Sequence, residues 1–357
     1  MSNIVYRPIE TAAEVRECER IQQSAWGMTD LGVMPYNAFH AIIHANGLLI
    51  GAFDGDTLIA FACSFLGEID GKKLHWSHLM AVVPEYQRQG IGTAIKFAQR
   101  KYLLERGINR IAWTFDPLRY ENAVFNINIL GAIPQKLLIE QYGQMTDSIN
   151  AGLLSDRFET HWELNNKVVK KIANGQYKPL NILNFTYVTR AGNSTPILTL
   201  PKNFTEPYYA VQLPLSLNKI REQSAEQAKS WYYAVRDSTQ PLFDQHYEVV
   251  QVQKQDHTFA YIFQRPEDWF LYIAETADNT LYTGITNNLE NRIAIHNTGK
   301  GAKYTRMRRP VTLQAAWQTL GRSKATKLEY QLKSLTRQQK LALIESQQDF
   351  ESAKRYR

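Results

Sequence analysis

The sequence predicts an α+β protein of mixed α/β pattern, with an N-terminal half, an accessory segment and a small basic C-terminal domain. Three observations lead there. Helix-like and strand-like stretches alternate from residue 1 to about 165, the pattern of a sheet covered by helices. Arg265-Pro266-Glu267-Asp268 then interrupts the chain, because proline cannot donate to a strand ladder and biases its predecessor away from helix. Beyond that break the charge changes: residues 269–357 carry 15 Lys and Arg against 7 Asp and Glu, so a chain of net charge +7 is close to neutral, about −1, everywhere else.

The elements follow in order. Leu58 to Leu66 is a continuous apolar run that reads as a buried strand, and Leu79 to Val83 is a shorter one closed by Pro84-Glu85-Tyr86. Gly90 to Arg106 predicts a helix, with Ile91, Ala94, Ile95, Ala98 and Tyr102 at helical spacing on one apolar face. Arg110 to Phe115 is the next strand. In residues 166–265 a Pro/Thr/Asn-rich stretch, Thr189 to Pro207, precedes a helical piece around Ser224 to Phe243 and a strand pair near Glu248 to Phe263. After the break, Phe270 to Ala274 and Leu281 to Ile285 flank the turn signal Asp278-Asn279. Asn288 to His296 and Lys324 to Leu335 read as helices. The expected domains are therefore 1–165, 166–265 and 268–350.

At 357 residues the chain can bury two or three ordinary cores without a disulfide or metal staple. Its longest apolar stretch is too short to span a bilayer, and Met1 to Tyr6 has neither a basic nor an apolar leader region. Only Cys18 and Cys63 are present, which suits a reducing compartment and offers no zinc spacing. A cytoplasmic location without a membrane partner is expected. The basic last quarter gives an electrostatic reason to look there for a polyanion, although basic tails also serve solubility alone.

Between the strand at Leu79–Val83 and the helix after it stands Gln87-Arg88-Gln89-Gly90-Ile91-Gly92. A helix N-terminus carries unpaired N–H groups and the positive end of the helix dipole, so it suits a pyrophosphate. Gly90 and Gly92 remove side chains that would keep a phosphate away from those amides. An isolated G-x-G also occurs in ordinary strand-to-helix turns.

This loop resembles motif A of the GNAT superfamily, of form Q/R-x-x-G-x-G/A. The likeness extends to Leu74-His75-Trp76-Ser77-His78-Leu79-Met80, Trp113-Thr114-Phe115-Asp116-Pro117-Leu118, Asn122-Ala123, Leu130-Gly131-Ala132, Tyr142-Gly143 and Ser155-Asp156-Arg157. It covers about residues 4 to 165 and, more loosely, the accessory segment to about 263. The resemblance implies a GNAT fold and an acyl-CoA co-substrate, acetyl-CoA or another. Its binding residues would be Met80 and Val82 of the strand, Gln87, Arg88, Gln89, Gly90, Ile91, Gly92 and Thr93 of the loop, and Asn122. An amine would attack the thioester directly, a reaction that needs positioning, an oxyanion donor and a route for the amine proton. His75, Ser77 and His78 lie next to the acyl-binding strand, with His75 and Ser77 on one face and His78 on the other by strand alternation. His78 is the candidate relay, and a satisfied sheet residue is the alternative. Asp116 and Asn122 either cap the following turn or touch substrate. Arg157 could clamp the carboxylate of a small amine or amino-acid-like acceptor, or could serve a structural role beside Asp156.

In the C-terminal part, Leu271-Tyr272-Ile273 is followed by Tyr282-Thr283-Gly284, Arg292, His296 and Glu329. Arg292 and His296 share one helix face, and a hairpin brings the two tyrosines together. Together they offer a phosphate clamp, proton-transfer groups and a hard-metal ligand, the parts that phosphodiester cleavage needs. The set resembles the GIY-YIG endonuclease superfamily, with Leu-Tyr-Ile and Tyr-Thr-Gly as degenerate name motifs. His296-Asn297-Thr298-Gly299-Lys300-Gly301-Ala302-Lys303-Tyr304-Thr305 is similar to its small stand-alone bacterial members. The likeness spans about residues 268 to 345 and implies a small α/β domain with a short antiparallel sheet. It implies that Tyr272 or Tyr282 with His296 activates water, that Arg292 holds the scissile phosphate and that Glu329 binds one Mg²⁺. Ile285 stands where some members carry lysine. Lys300, Lys303, Arg306, Arg308 and Arg309 would contact a nucleic-acid backbone, with DNA as the expected partner. The expected protein is thus an acyl-CoA-dependent N-acyltransferase fused to a Mg²⁺-dependent phosphodiesterase module. The alternatives are an acyl-CoA sensor in the first half and a non-cleaving nucleic-acid-binding module in the second.

Overall fold

The computed structural model describes residues 4–27, 32–69, 71–143, 153–192 and 195–356. The chain divides into two compact units, Met1–Gln264 and Arg265–Arg357, at the proline-bearing break.

The first unit opens with β1 (Ile4–Pro8), α1 (Ala12–Trp26), α2 (Tyr36–His44), β2 (Leu48–Asp54), β3 (Thr57–Ile69) and β4 (Lys72–Val82). Next come α3 (Ile91–Glu105), β5 (Arg110–Phe115), α4 (Tyr120–Ala123), β6 (Ile133–Leu138), β7 (Arg157–Glu163) and α5 (Lys167–Ala173). The strands form one seven-stranded sheet in the order β1-β2-β3-β4-β5-β7-β6. Thr11 starts α1 with a reciprocal cap, accepting from the Glu14 N–H while the Glu14 carboxylate accepts from its own. Strands β2 and β3 are buried over most of their length, as their apolar runs require.

Helix α3 confirms the expected apolar face at Ile91 and Ile95, but its buried positions also include Lys96 and Gln99. Periodicity alone assigned those two polar residues no place in the core, because each is paid for by a partner on another element. After α4 the chain widens into a π-helical segment, Val124–Ile129, a form that recurs at functional sites.

A second sheet is built from β8 (Thr186–Ala191), β9 (Pro196–Leu198), β10 (Tyr208–Pro214), β11 (Glu248–Gln255) and β12 (Thr258–Gln264), in the order β11-β12-β10-β8-β9. Strands β8 and β9 lie in and beside the Pro/Thr/Asn-rich stretch, where composition alone indicated no strand. Between β10 and β11 run α6 (Leu217–Gln223) and α7 (Ala225–Asp244), the latter capped by the Ser224 hydroxyl. This sheet shares its core with the end of the first: Phe115 and Phe158 pack with Tyr209, Trp231, Phe259 and Tyr261. Asn128 ties the two by donating to the Val252 carbonyl at 2.8 Å and accepting from the Val252 N–H at 2.9 Å.

The second unit comprises β13 (Asp268–Thr276), β14 (Leu281–Thr286), α8 (Leu289–Asn297), β15 (Val311–Leu320), α9 (Arg322–Ser334), α10 (Arg337–Ser346) and β16 (Lys354–Tyr356). Its sheet runs β14-β13-β15-β16, antiparallel throughout. The two expected strands are β13 and β14, and β15 and β16 complete the sheet. Alternation splits β13 between two cores. Leu271 and Ile273 pack with Trp317 and with Leu328 and Leu332 of α9, whereas Tyr272 and Ala274 pack with Leu289 of α8 and Ala316. No helix among the described residues is long and apolar enough to cross a membrane.

Candidate acyl-CoA and nuclease-type sites

In the first sheet, β4 and β5 are parallel and pair only at His75↔Ile111 and Trp76↔Ala112. Past Trp76 they no longer pair, and the strand continues from Ser77 toward the Gly-bearing loop. The β3–β4 register jumps from Ser64↔Ser77 to Cys63↔Leu79, so His78 is the extra residue of a β-bulge. Simple alternation is therefore broken at the residue whose facing it was used to assign. The His78 ring is exposed and lies 6.1 Å from that of Phe65, and partial desolvation lowers its pKa.

Helix α3 opens at Gly90, whose φ of 83° is a backbone state that glycine adopts without strain, and no side chain caps it. The Gln87 side chain donates to the Val82 carbonyl at 3.0 Å and that of Gln89 to the Glu85 carbonyl at 2.7 Å. Both thereby brace the loop. A Cβ on Gly92 would lie 3.7 Å from Met80 Cε and 4.0 Å from Phe125 Cε2. Met80 of β4, the first turn of α3 and the π-helical segment thus meet at one place. Val82 and Thr93 are half-buried, Arg88 is exposed, and Asn122 is exposed on α4.

His75 and Ser77, placed on one face by their sequence, join a buried polar network with Ser64, Lys96 and Gln99, which the sequence alone did not assign to the site. Lys96 Nζ donates to Ser77 Oγ at 3.1 Å and to Gln99 Oε1 at 2.9 Å, and Gln99 Nε2 donates to Ser64 Oγ at 2.9 Å. Ser64 Oγ is 3.0 Å from Nδ1 of His75. Lys96 Nζ also stands 4.4 Å from the Trp113 ring centre. Burial pushes Lys96 down to about 7, and burial together with Arg106 pushes His75 down to about 4. The local signals of this network were Lys96 and Gln99, three apart on an otherwise apolar helix face, and His75 and Ser77 on one face of β4.

Asp116 is buried and turns inward. Its carboxylate accepts from the Leu118 N–H at 2.9 Å and from the Tyr232 hydroxyl at 3.2 Å. Arg157 is likewise buried: it donates to the Asp156 carbonyl at 2.8 Å and lies under the exposed Tyr142 ring at 5.5 Å. The Asp156 carboxylate belongs instead to Arg236, at 2.7 and 2.8 Å.

In the second unit, Tyr272, Tyr282, Arg292 and His296 come together. The Tyr272 hydroxyl lies 2.9 Å from His296 Nε2 and accepts from Arg292 Nε at 3.3 Å. The Tyr282 ring sits 5.1 Å from His296 and 6.2 Å from Tyr272. Burial pushes the Tyr272 phenol up to about 12, while burial and the Arg292 charge push His296 down. Both groups are therefore neutral near pH 7. Gly284 is required here, since a Cβ on it would stand 2.7 Å from the Tyr272 hydroxyl.

Glu329 comes from α9, which packs on the Leu271 face of the sheet, and its carboxylate pairs with Lys333 at 2.9 Å. Among the described residues no group of three or more His, Cys, Asp or Glu is placed to hold a metal. The basic residues divide as well. Arg308 is committed to Asp278 at 2.8 Å and to the Tyr304 ring at 4.1 Å, whereas Lys300, Lys303, Arg306 and Arg309 are exposed.

Two families of known proteins match separate parts of the chain. The acetyltransferase (GNAT) family matches residues 13–125, and the GIY-YIG catalytic domain matches residues 268–342. A UPF0213 protein of Staphylococcus haemolyticus is 53% identical over 76 residues, 21% of this chain and 93% of that protein. A UPF0213 protein of Salmonella arizonae is 49% identical over 84 residues, 24% of this chain and 84% of the relative. Among solved structures, the ribosomal-protein-S18-alanine N-acetyltransferase from Escherichia coli is 17% identical with a TM-score of 0.38, covering 46% of this chain and 95% of that one. Ard1 from Thermoplasma volcanium is 14% identical with a TM-score of 0.35, covering 44% and 95%.

Proposed function

Because the chain belongs to the GNAT acetyltransferases through its first unit and to the GIY-YIG superfamily, with the UPF0213 proteins, through its second, we propose that it transfers an acyl group from acyl-CoA to a small amine and cleaves nucleic-acid phosphodiesters. The GNAT fold implies an acyl-CoA co-substrate.

The observation that carries the transferase reading is the uncapped start of α3 beside the point where β4 and β5 part. A pyrophosphate would sit on the amides of Gln89 to Gly92, and the pantetheine arm would run along Met80 and Val82 between the two strands. His78, exposed at the bulge, would take the amine proton directly or through water. Arg157 lies under Tyr142, so an acceptor carboxylate would reach it by displacing that ring. Calorimetry with acetyl-CoA tests the donor site: micromolar binding is expected, and no binding to a folded chain overturns the reading.

The nuclease reading rests on the hydrogen-bonded set Arg292–Tyr272–His296. The remaining N–H groups of Arg292 would hold the scissile phosphate, and the neutral Tyr272–His296 pair would receive a proton from water. Mg²⁺ commonly takes one or two carboxylates and completes its shell with water and phosphate oxygens, so Glu329 alone fits that donor set. Bound there, the ion would offset charge on the leaving oxygen. The Lys333 partner of Glu329 favours a second reading, a module that binds nucleic acid without cutting it. Plasmid nicking with Mg²⁺ decides between them. Cleavage lost in Glu329→Ala supports the nuclease, whereas binding without nicking in the unaltered chain supports the binding module.

A further inference from the structure

Thr305 is fully buried, and its hydroxyl lies 2.6 Å from Nδ1 of the equally buried His296. A hydroxyl has one hydrogen to give. That of Thr305 has the Ala302 carbonyl oxygen as acceptor at 3.1 Å, which leaves its lone pairs for an Nδ1–H. On the other side of the ring, the Tyr272 oxygen accepts from Arg292 Nε at 3.3 Å and stands 2.9 Å from Nε2, close enough to give its O–H to a bare Nε2 in competition with the neighbouring Tyr282 hydroxyl. The opposite tautomer would crowd Nε2–H and the Arg292 N–H onto one phenol oxygen and draw the Thr305 hydrogen off its carbonyl. Gly301 makes this contact possible. A Cβ there would stand 2.5 Å from His296 Nδ1 and 2.8 Å from its Cα, so any side chain would push the segment that carries Thr305 off the imidazole.

We propose that Thr305 is a positioning residue that holds His296 in its Nδ1–H tautomer, so that Nε2 is the acceptor for a proton delivered through Tyr272. This rests on the nuclease reading of the second unit. Water gives a proton to the Tyr272 oxygen while the phenol passes its own to Nε2. The resulting hydroxide oxygen bonds to phosphorus, the bond from phosphorus to the leaving oxygen breaks, and that oxygen takes a proton from solvent. His296 ends as an imidazolium with Nδ1–H still on Thr305, and it later returns one proton to solvent. Tyr272 stays neutral at the start and the end, as its raised pKa requires. Ring orientation through the second nitrogen is a general means of setting histidine's role.

The test uses the full chain labelled with ¹⁵N-histidine, His296→Gln to assign the signal, and the variants Thr305→Val and Thr305→Ser. Two-bond ¹H–¹⁵N spectra report the tautomer, and Mg²⁺-dependent plasmid nicking from about pH 6 to 9 reports the relay. The wild type and Thr305→Ser are expected to carry Nδ1–H and to nick at similar rates. Thr305→Val is expected to gain Nε2–H and to lose about 100-fold in rate, with the acid limb of its pH profile displaced. An Nε2–H wild type, or a Thr305→Val chain that keeps Nδ1–H, overturns the proposal, and so does an altered tautomer with an unaltered rate. If Thr305→Val does not fold, Thr305→Ala takes its place: loss of Nδ1–H and of nicking there, with both kept in Thr305→Ser, supports the proposal, whereas their loss in Thr305→Ser as well, or their retention in Thr305→Ala, overturns it. A wild type with the expected tautomer that nicks no DNA removes the nuclease reading while leaving the tautomer assignment standing.

Discussion

Lys96 on α3 donates to Ser77 on β4 at 3.1 Å while lying 4.4 Å from the Trp113 ring centre. A lysine with so little water around it keeps its place through the two hydrogen bonds and the aromatic face, which together offset part of its desolvation.

Stability should depend on pH through this residue. Its pKa falls from 10.5 in the unfolded chain to about 7 in the fold, so between those values the unfolded chain binds more protons than the folded one. Stability therefore rises with pH across that window, and the penalty is complete below pH 7. Urea unfolding should show the wild type gaining on Lys96→Met by on the order of 1 kcal/mol per pH unit from pH 7 to 10.5. Parallel curves for the two chains would contradict the assignment.

His75 predicts a second window on the acid side. Its pKa drops from 6.5 to about 4 on folding, so stability is lost as pH falls from 6.5 through 4, where only the unfolded chain takes up the proton. Thermal melts of His75→Gln should be flatter than those of the wild type across that range. An equal slope would place the acid sensitivity elsewhere.

The two loop glycines should separate binding from folding. At Gly92 a new Cβ meets Met80 and Phe125 at ordinary contact distance, so Gly92→Ala should melt like the wild type yet bind acetyl-CoA at least about tenfold more weakly, as its methyl stands between phosphate and amide. At Gly90 the positive φ is the obstacle, and Gly90→Ala should cost about 1 kcal/mol in stability. Calorimetry beside thermal melts reads both.

Salt dependence should sort the basic residues of the second unit. Arg308 is held by Asp278, so Arg308→Ala should leave the salt slope of DNA binding nearly unchanged. Lys300→Ala and Lys303→Ala should each lower that slope by about 1. Fluorescence anisotropy over a salt series measures this, and a wild-type slope in Lys300→Ala and Lys303→Ala would show that neither contacts a phosphate.

Much of the architecture was legible in local pattern. The apolar run Leu58–Leu66, the helix after Gly90, the hairpin around Asp278-Asn279 and the break at Pro266 each follow from a preference expressed over a few residues. Tyr272, Arg292 and His296 could also be grouped from spacing, since a hairpin and one helical turn suffice to bring them together. Other features depend on partners far along the chain. The His78 bulge exists because β4 slips by one residue against β3, which no window on β4 alone reveals. Strands β8, β9, β15 and β16 are completed by neighbours in their sheets, and their own residues are too short or too mixed in polarity to declare them.

The sequence by itself determined the strand at Leu58–Leu66, the helix after Gly90, the hairpin around Asp278-Asn279 and the break at Pro266, because periodicity, turn residues and charge act locally. Only the tertiary structure decided how the polar side chains are held. It buried Lys96 against Ser77 and Trp113, turned Asp116 and Arg157 inward, paired Glu329 with Lys333 and set Thr305 against His296. The reason is physical: a buried polar group must find a partner, and that partner is chosen by the packing of whole elements rather than by its neighbours in the chain.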